Sequence, residues 1–466
     1  MKHSLPSVAI IGRPNVGKST LFNRLTGTRH ALVANTPGVT RDRREGLADI
    51  GGLEFKLIDT AGLEEATKHS LAERMTNQTL EGLKRADVIL MLVDARAGIL
   101  PTDEHFAALV RESGKPVILA VNKAEGRGAQ GALDAYSLGL GDPCPISAEH
   151  GEGMGDLYDA LITNFNRIEE SSAKSRRELP SQFIAAEGSE NLEEEKDIQI
   201  AVVGRPNVGK STFINQLLGE DRVLTGPEAG ITRDAISIPF DYNGRALQLV
   251  DTAGMRRKSK VAPHELEVMA VNDTRRAIQY AHVVVLMLDA TQALEKQDHL
   301  IASMLAKEGR ACVLCLNKWD LVQDKDEVLT EVRWQVEKIM GDFKGLPVVC
   351  TTALTGDAVS KVIKTCLDAY ALWNKRVGTA ELNRWLEDVL VAHTPPLVSG
   401  RRLKIKYITQ AKTRPPSFAL FVNHKGGIPS HYARYLINSL RETFNLPGIP
   451  IRLMIRRGKN PYEKDN

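Results

Sequence analysis

The chain has 466 residues, 42% of them apolar and 26% charged, which suits a globular protein of about three domains. No apolar run approaches the ~20 residues of a membrane span, and the start MKHSLPSVAIIGRP lacks the small-residue cleavage site of a signal peptide. The formal net charge is only +3, yet residues Lys375 to Asn466 carry 17 Lys and Arg against 6 Asp and Glu, so a basic end follows an acidic body and a polyanionic partner is expected.

The apolar run PSVAIIG predicts a strand over 7–12, and LFNRLTG predicts an amphipathic helix. Between them lie Gly12, Arg13, Pro14, Asn15, Val16, Gly17, Lys18, Ser19 and Thr20. Glycines at this spacing let backbone N–H groups cradle phosphates at a helix start, with Lys18 reaching the β- and γ-phosphates and the Ser19 hydroxyl on Mg²⁺. The same nine residues recur as Gly204, Arg205, Pro206, Asn207, Val208, Gly209, Lys210, Ser211 and Thr212, offset by 192 (204 − 12), again between an apolar run, IQIAVVG, and a helical one. A chance glycine turn does not explain two copies in matching contexts, so two nucleotide-binding domains are expected.

The loop NTPGVTRDR follows, with Thr40 as a second Mg²⁺ ligand; its counterpart Thr232 lies 192 residues on. A strand over 54–58 ends in Asp59, Thr60, Ala61 and Gly62. Asp59 and its counterpart Asp251 can hold Mg²⁺ through water, and the backbone of Gly62 and Gly254 can sense a γ-phosphate. Apolar runs at 88–93 and 117–121 predict buried parallel strands, and 283–288 repeats the first of them. Strands alternating with helices imply doubly wound α/β sheets whose ligands sit beyond the carboxyl ends of the strands.

Together, GRPNVGKS, the loop threonine, DTAG, NK-x-D and SA make the chain similar to translation-factor-like GTPases. The duplication and the basic end narrow the resemblance to the bacterial tandem-GTPase ribosome-assembly factors, the Der or EngA family. The resemblance covers nearly the whole chain. It implies GTP and GDP as ligands, Mg²⁺ and K⁺ as cofactors, and a cytoplasmic monomer. It also implies contact with the large ribosomal subunit or its precursor through rRNA, without DNA or integral membrane association. Asn122, Lys123 and Glu125, with Ser147 and Ala148, then form the first base site. Glu125 departs from the usual Asp: it keeps the charge but adds a methylene, so weaker guanine selectivity is expected there. The second base site, Asn317, Lys318 and Asp320 with Thr352 and Ala353, fits the pattern, with Thr352 where Ser is usual.

Neither domain has a water-orienting glutamine after DTAG, where Leu63 and Met255 stand, so catalysis rests on phosphate positioning, switch backbone and cations. In related GTPases an asparagine at Asn15 and Asn207 serves a K⁺ ion; loop shaping is the alternative role. The loop after the second DTAG is basic (Met255 to Lys260) and that after the first acidic (Glu64, Glu65), which suits either two solvated loops or different partners.

Domain boundaries are expected at 1–166, 198–372 and 373–466. An acidic connector over 167–197 is too polar to bury much surface, with an acidic interaction tail as the alternative. Five sparse cysteines suit a reducing compartment, and Cys312 and Cys315 fall inside the apolar strand ACVLCLN rather than in a metal site. The basic end reads as helix 378–392, two strands, helix 431–444 and a last strand: an α+β layer resembling the family's KH-like domain. It lacks a GXXG loop between two helices. Arg401, Arg402, Lys404, Lys406, Lys412, Arg414, Arg456, Arg457 and Lys459 are the candidate rRNA contacts, and its aromatics are expected in the core. The function expected is a GTP-hydrolysing switch in large-subunit assembly. The alternatives are an RNA-binding scaffold reporting nucleotide state and a membrane or division-associated regulator.

Overall fold

In a computed structural model the protein is described over residues 5–27, 44–60, 80, 82–125, 132, 134–177, 198–222, 237–250, 273–398, 401–423 and 428–457. They fall into two units, Met1–Lys196 and Asp197–Asn466.

The first unit runs β1 (Ser7–Ile11), α1 (Lys18–Thr26), β2 (Arg44–Ile50), β3 (Leu53–Asp59), β4 (Val88–Asp94), α2 (Pro101–Glu112), β5 (Val117–Asn122), β6 (Cys144–Pro145) and α3 (Met154–Arg177). The sheet order is β2-β3-β1-β4-β5-β6, and only β2 runs antiparallel to its neighbour. All seven residues of β4, VILMLVD, are buried, because helices cover both faces of a parallel sheet. Strand order reverses at β1, so the loop leaving its carboxyl end opens at the switch point where such sheets bind ligands. Pro101 at the first position of α2 and Asp103 at the third set that helix start. The connector expected from Arg167 begins later: α3 continues to Arg177. Its last residues lack apolar periodicity, but Glu169, Glu170, Ala173, Lys174 and Arg176 are good helix formers, which suffices to extend the backbone.

The second unit repeats the design with β7 (Ile198–Val203), α4 (Lys210–Arg222), β8 (Ser237–Tyr242), β9 (Arg245–Val250), β10 (Val283–Asp289), α5 (Lys296–Glu308), β11 (Ala311–Asn317), α6 (Lys325–Ile339), β12 (Val348–Cys350) and α7 (Val359–Trp373). The order β8-β9-β7-β10-β11-β12 matches the first sheet strand for strand. Val283, Val285 and Met287 pack one face with Val362 and Ile363 of α7; Val284, Leu286 and Leu288 pack the other with Leu305 of α5. Cys312 and Cys315 divide between those faces as alternation requires, and burial pushes both thiols up to about 12, which makes them unreactive. Among the described residues no group of three or more His, Cys, Asp or Glu is placed to hold a metal, and no helix is long and apolar enough to cross a membrane.

The same unit ends in α8 (Thr379–Ala392), a short hairpin of β13 (Leu397–Val398) and β14 (Arg401–Arg402), then β15 (Ile405–Lys412), β16 (Ser417–Val422), α9 (Ser430–Thr443) and β17 (Arg452–Arg457). Central β16 pairs antiparallel with β15 and parallel with β17. Leu382, Trp385 and Leu386 of α8 meet Leu436 and Leu440 of α9 and Phe418 and Leu420 of β16. This layer is packed onto the second nucleotide layer. Ile449, 1% exposed, belongs to the core of that layer. Arg441 donates to the Asp342 carbonyl (2.8 Å), and Arg452 donates to that of Lys307 (2.7 Å).

Candidate nucleotide sites and basic face

Both nine-residue loops take one conformation. Gly12 and Gly204 lead in at φ 158 and 154; a Cβ there would meet the carbonyl oxygens of Leu92 and Met287 at 2.3 and 2.2 Å. Gly17 and Gly209 both stand at φ 99, where a Cβ would meet the amide nitrogens of Asn122 and Asn317 at 2.2 Å. Side chains are therefore excluded on strain and on space at the point where the backbone turns into the helix. Lys18 Nζ donates to the carbonyls of Gly12 (2.8 Å) and Arg13 (2.9 Å), and Lys210 Nζ to those of Gly204 (2.8 Å) and Arg205 (2.6 Å). Burial lowers the pKa of both ammonium groups, Lys210 to about 8; Asp59 partly offsets burial at Lys18, while Arg13 adds to it.

The side chains of Arg13 and Arg205 turn away from the loops. Arg13 Nε reaches Asp103 Oδ2 (3.2 Å), and Arg205 Nε reaches Asp298 Oδ1 (3.1 Å). Both aspartates are 0% exposed, and each also accepts from the backbone N–H three residues earlier at its helix start. They brace the loop against α2 and α5. Sequence inspection missed them, although their offset of 195 (298 − 103) equals that of Asn122 and Asn317 (317 − 122).

On the base side, Asn122 Nδ2 donates to Val16 O (2.8 Å), while its Oδ1 accepts from the Ala148 N–H (2.8 Å). Asn317 does the same with Val208 O (2.8 Å) and the Ala353 N–H (2.9 Å). Each asparagine thus ties its phosphate loop to its last loop, and one amide hydrogen remains for a ligand. Lys123 and Lys318 stand at φ 61 and 62 and bond Asp94 Oδ2 (2.7 Å) and Asp289 Oδ2 (2.5 Å); Lys123 also donates to Asn15 O (2.8 Å). At Asp94 burial pushes the pKa up, but Lys123 and the N–H groups of Arg96 and Ala97 outweigh it and hold the carboxyl below its ordinary value. Ser147 and Thr352 are buried beside these loops. Glu125 and Asp320 differ. Glu125 Oε1 pairs with Arg96 Nη2 at 2.5 Å, whereas Asp320 lies exposed in the turn Trp319–Leu321.

The residues present fit a magnesium nucleotide: a backbone cradle, a buried lysine, exposed hydroxyls at Ser19 and Ser211, and the Asp59 carboxylate at a strand end. Thr40, Gly62, Thr232, Asp251 and Gly254, with the stretches after DTAG, lie outside the described residues.

In the C-terminal layer Lys404 and Lys406 are exposed, and Lys412, Arg414 and Arg456 are half-buried. Arg401, Arg402 and Arg457 fall on strands; Lys459 lies outside the described residues. Phe418 and Tyr432 are core, as expected, but Tyr407 is not: it is 43% exposed and stacks on Phe421 at 4.0 Å and 13°, with the Arg456 guanidinium 5.9 Å over the Phe421 ring. Strand alternation turns Ile408 inward and so Tyr407 outward. Among the described residues α9 is the one helix between β16 and β17, so no helix pair frames a GXXG clamp there.

A family model described as "50S ribosome-binding GTPase" matches residues 7–123 and again 199–318, and one described as "KH-domain-like of EngA bacterial GTPase enzymes, C-terminal" matches 376–456. Proteins described as GTPase Der are similar end to end. That of Mesorhizobium japonicum is 51% identical over 469 residues, and those of Parvibaculum lavamentivorans and a Bradyrhizobium species are 50% identical over 463 and 460, with 98% of both chains covered each time. The protein is accordingly a GTPase that binds GTP and GDP and uses Mg²⁺. With both nucleotide layers and the KH-like layer matched in order, and half of all residues shared with full-length relatives, the chain belongs to the Der family of bacterial GTPases.

Proposed function

We propose that this GTPase is a cytoplasmic switch in assembly or maturation of the large ribosomal subunit, binding the particle through rRNA. One observation carries this reading: a basic layer with an outward Tyr407–Phe421–Arg456 stack is packed directly onto the second nucleotide layer. Phosphate contacts from Lys404 and Lys406, with stacking on Tyr407, suit folded RNA.

In each site the loop N–H groups and Lys18 or Lys210 hold the β- and γ-phosphates, and Asp320 reads the base edge in the second. Ser19, Thr40 and Asp59, and Ser211, Thr232 and Asp251, would hold Mg²⁺, which neutralises charge on the phosphate oxygens. Leu63 and Met255 cannot orient water, so rate depends on positioning and on cations. Asn15 and Asn207 are exposed at φ 66 and 65, a conformation asparagine tolerates, and among the described residues their side chains are free to take a K⁺ ion beside the phosphates. Single-turnover hydrolysis is expected to be faster in K⁺ than in Na⁺ at equal ionic strength, and Asn15→Ala with Asn207→Ala to erase the difference.

The switch is tested by sedimentation with purified large subunits at several salt concentrations, with GDP or a non-hydrolysable GTP analogue. Binding is expected to weaken as salt rises and to be tighter with the analogue. Equal affinity in both nucleotide states would defeat the switch; insensitivity to Lys404→Glu with Lys406→Glu would defeat the assigned RNA face.

A further inference from the structure

The two base sites differ by more than one methylene. Arg96 lies two residues beyond Asp94, on the loop leaving β4. Its Nη2 sits 2.5 Å from Glu125 Oε1, and the Glu125 side chain is only 15% exposed. Glu125 Oε2 is buried, and the Ser147 hydroxyl also interacts with this carboxylate. Two residues beyond Asp289, in the matching place, stands Thr291, whose hydroxyl turns back to Asp289 Oδ1 at 2.7 Å. Asp320 is correspondingly exposed. The longer acid and the arginine thus occur together in one site, and the shorter acid and the threonine in the other.

A carboxylate selects guanine by accepting from two donors, the N1–H and the 2-amino group, and needs both oxygens to do so. In the first site one oxygen is already bonded to a guanidinium and the other is occluded. We propose that Arg96 is a specificity-determining residue of the first site: by holding the Glu125 carboxylate it withholds it from the 2-amino group, so that this site accepts purine nucleotides lacking that group, while the second site rejects them. This rests on the reading of Asn122 and Glu125 as a base site. Arg96 touches Glu125 rather than the phosphates, so it acts on the choice of base and leaves phosphate binding alone.

The test uses the full-length chain with one site disabled at a time and compares GTP with ITP, which differs only by the missing 2-amino group. In the Lys18→Ala chain, reporting the second site, GTP is expected to bind at least about tenfold tighter than ITP. In the Lys210→Ala chain, reporting the first, the two are expected within about threefold. Adding Arg96→Thr to the latter is expected to raise the preference for GTP towards tenfold. Arg96 is 61% exposed, so the change leaves the core intact, and the GTP-to-ITP ratio is unmoved by a general loss of affinity. A first-site ratio already near tenfold, or one that Arg96→Thr leaves unchanged while both nucleotides bind, overturns the role of Arg96 and spares the base site. A Lys210→Ala chain that binds neither nucleotide overturns the base-site reading, and this proposal with it.

Discussion

Arg13 and Arg205 occupy the same place in identical loops, yet they are held differently. Arg205 has Asp298, Glu295 at 2.6 Å and the Gln292 carbonyl at 2.5 Å, whereas Arg13 relies on Asp103 among the described residues. At the far end the contrast reverses: Glu125 is pinned by Arg96, and Asp320 stands open. The first site is thus braced by one carboxylate and engaged at its base end; the second is braced threefold and open there. Identical loop sequence secures the phosphate cradle and leaves rigidity and selectivity to residues far along the chain, the braces lying 90 and 93 positions on.

The largest expected effect separates the two braces. Asp103→Ala should cost about 3 kcal/mol locally, because it strips a largely desolvated guanidinium, 14% exposed, of its acceptor. Asp298→Ala should cost about 1–2 kcal/mol, since Glu295 and Gln292 still receive Arg205. Native-state hydrogen exchange of β1 and α1 against β7 and α4 measures both, and equal losses would erase the distinction.

Next in size are the lysines. Lys18→Ala and Lys210→Ala should each lower GTP affinity at their own site by about 10- to 150-fold, the 1.5–3 kcal/mol of a charge-assisted contact. Calorimetry should then find one tight site per chain where wild type has two. A chain that still binds tightly at both sites would show that its substituted lysine does not hold the phosphates.

The smallest effect is on pH. The free Lys210 ammonium has its pKa lowered to about 8 by burial, and a bound triphosphate, by its negative charge, raises it. Binding therefore takes up a proton above pH 8, and second-site affinity should fall as pH rises past 8, by at most about tenfold per unit, while this group contributes no trend below pH 7. Lys18 is lowered in the same direction, so the first site should follow. Affinity that holds steady from pH 7 to 9 would mean that the lysine charge is not what grips the phosphates.

Much of this was readable from the amino acids, for a physical reason. A phosphate cradle is local: its glycines, lysine and serine must follow one another, so Gly12 to Thr20 announced it and the repeat confirmed it. Buried parallel strands were legible because they are apolar on both faces, as in β4 and β10. Pairings across the sheet ends were not. Arg96 to Glu125 and Lys123 to Asp94 each join residues 29 apart, and nothing in spacing or composition marks one charged loop residue as the partner of another. Tyr407 is expected in the core but lies outside it because a register shift between Ile405 and Tyr407 breaks the alternation: Ile405 and Ile408 both pack on the core, and Tyr407 is left outward.

The seating of Ile449 in the core of the second nucleotide layer bears on how the protein is made. Gly448, at φ 68, lies so close to Leu346 that a Cβ would meet the leucine Cα at 2.8 Å, so the turn between α9 and β17 is built into that layer. The first unit has all its residues once Lys196 has left the ribosome. The second completes its core only when synthesis reaches Ile449, 253 residues later (449 − 196), which at ~5–20 residues per second is roughly 10–50 s. For that interval a nascent chain has all the residues of its first unit while the core of the second still lacks Ile449.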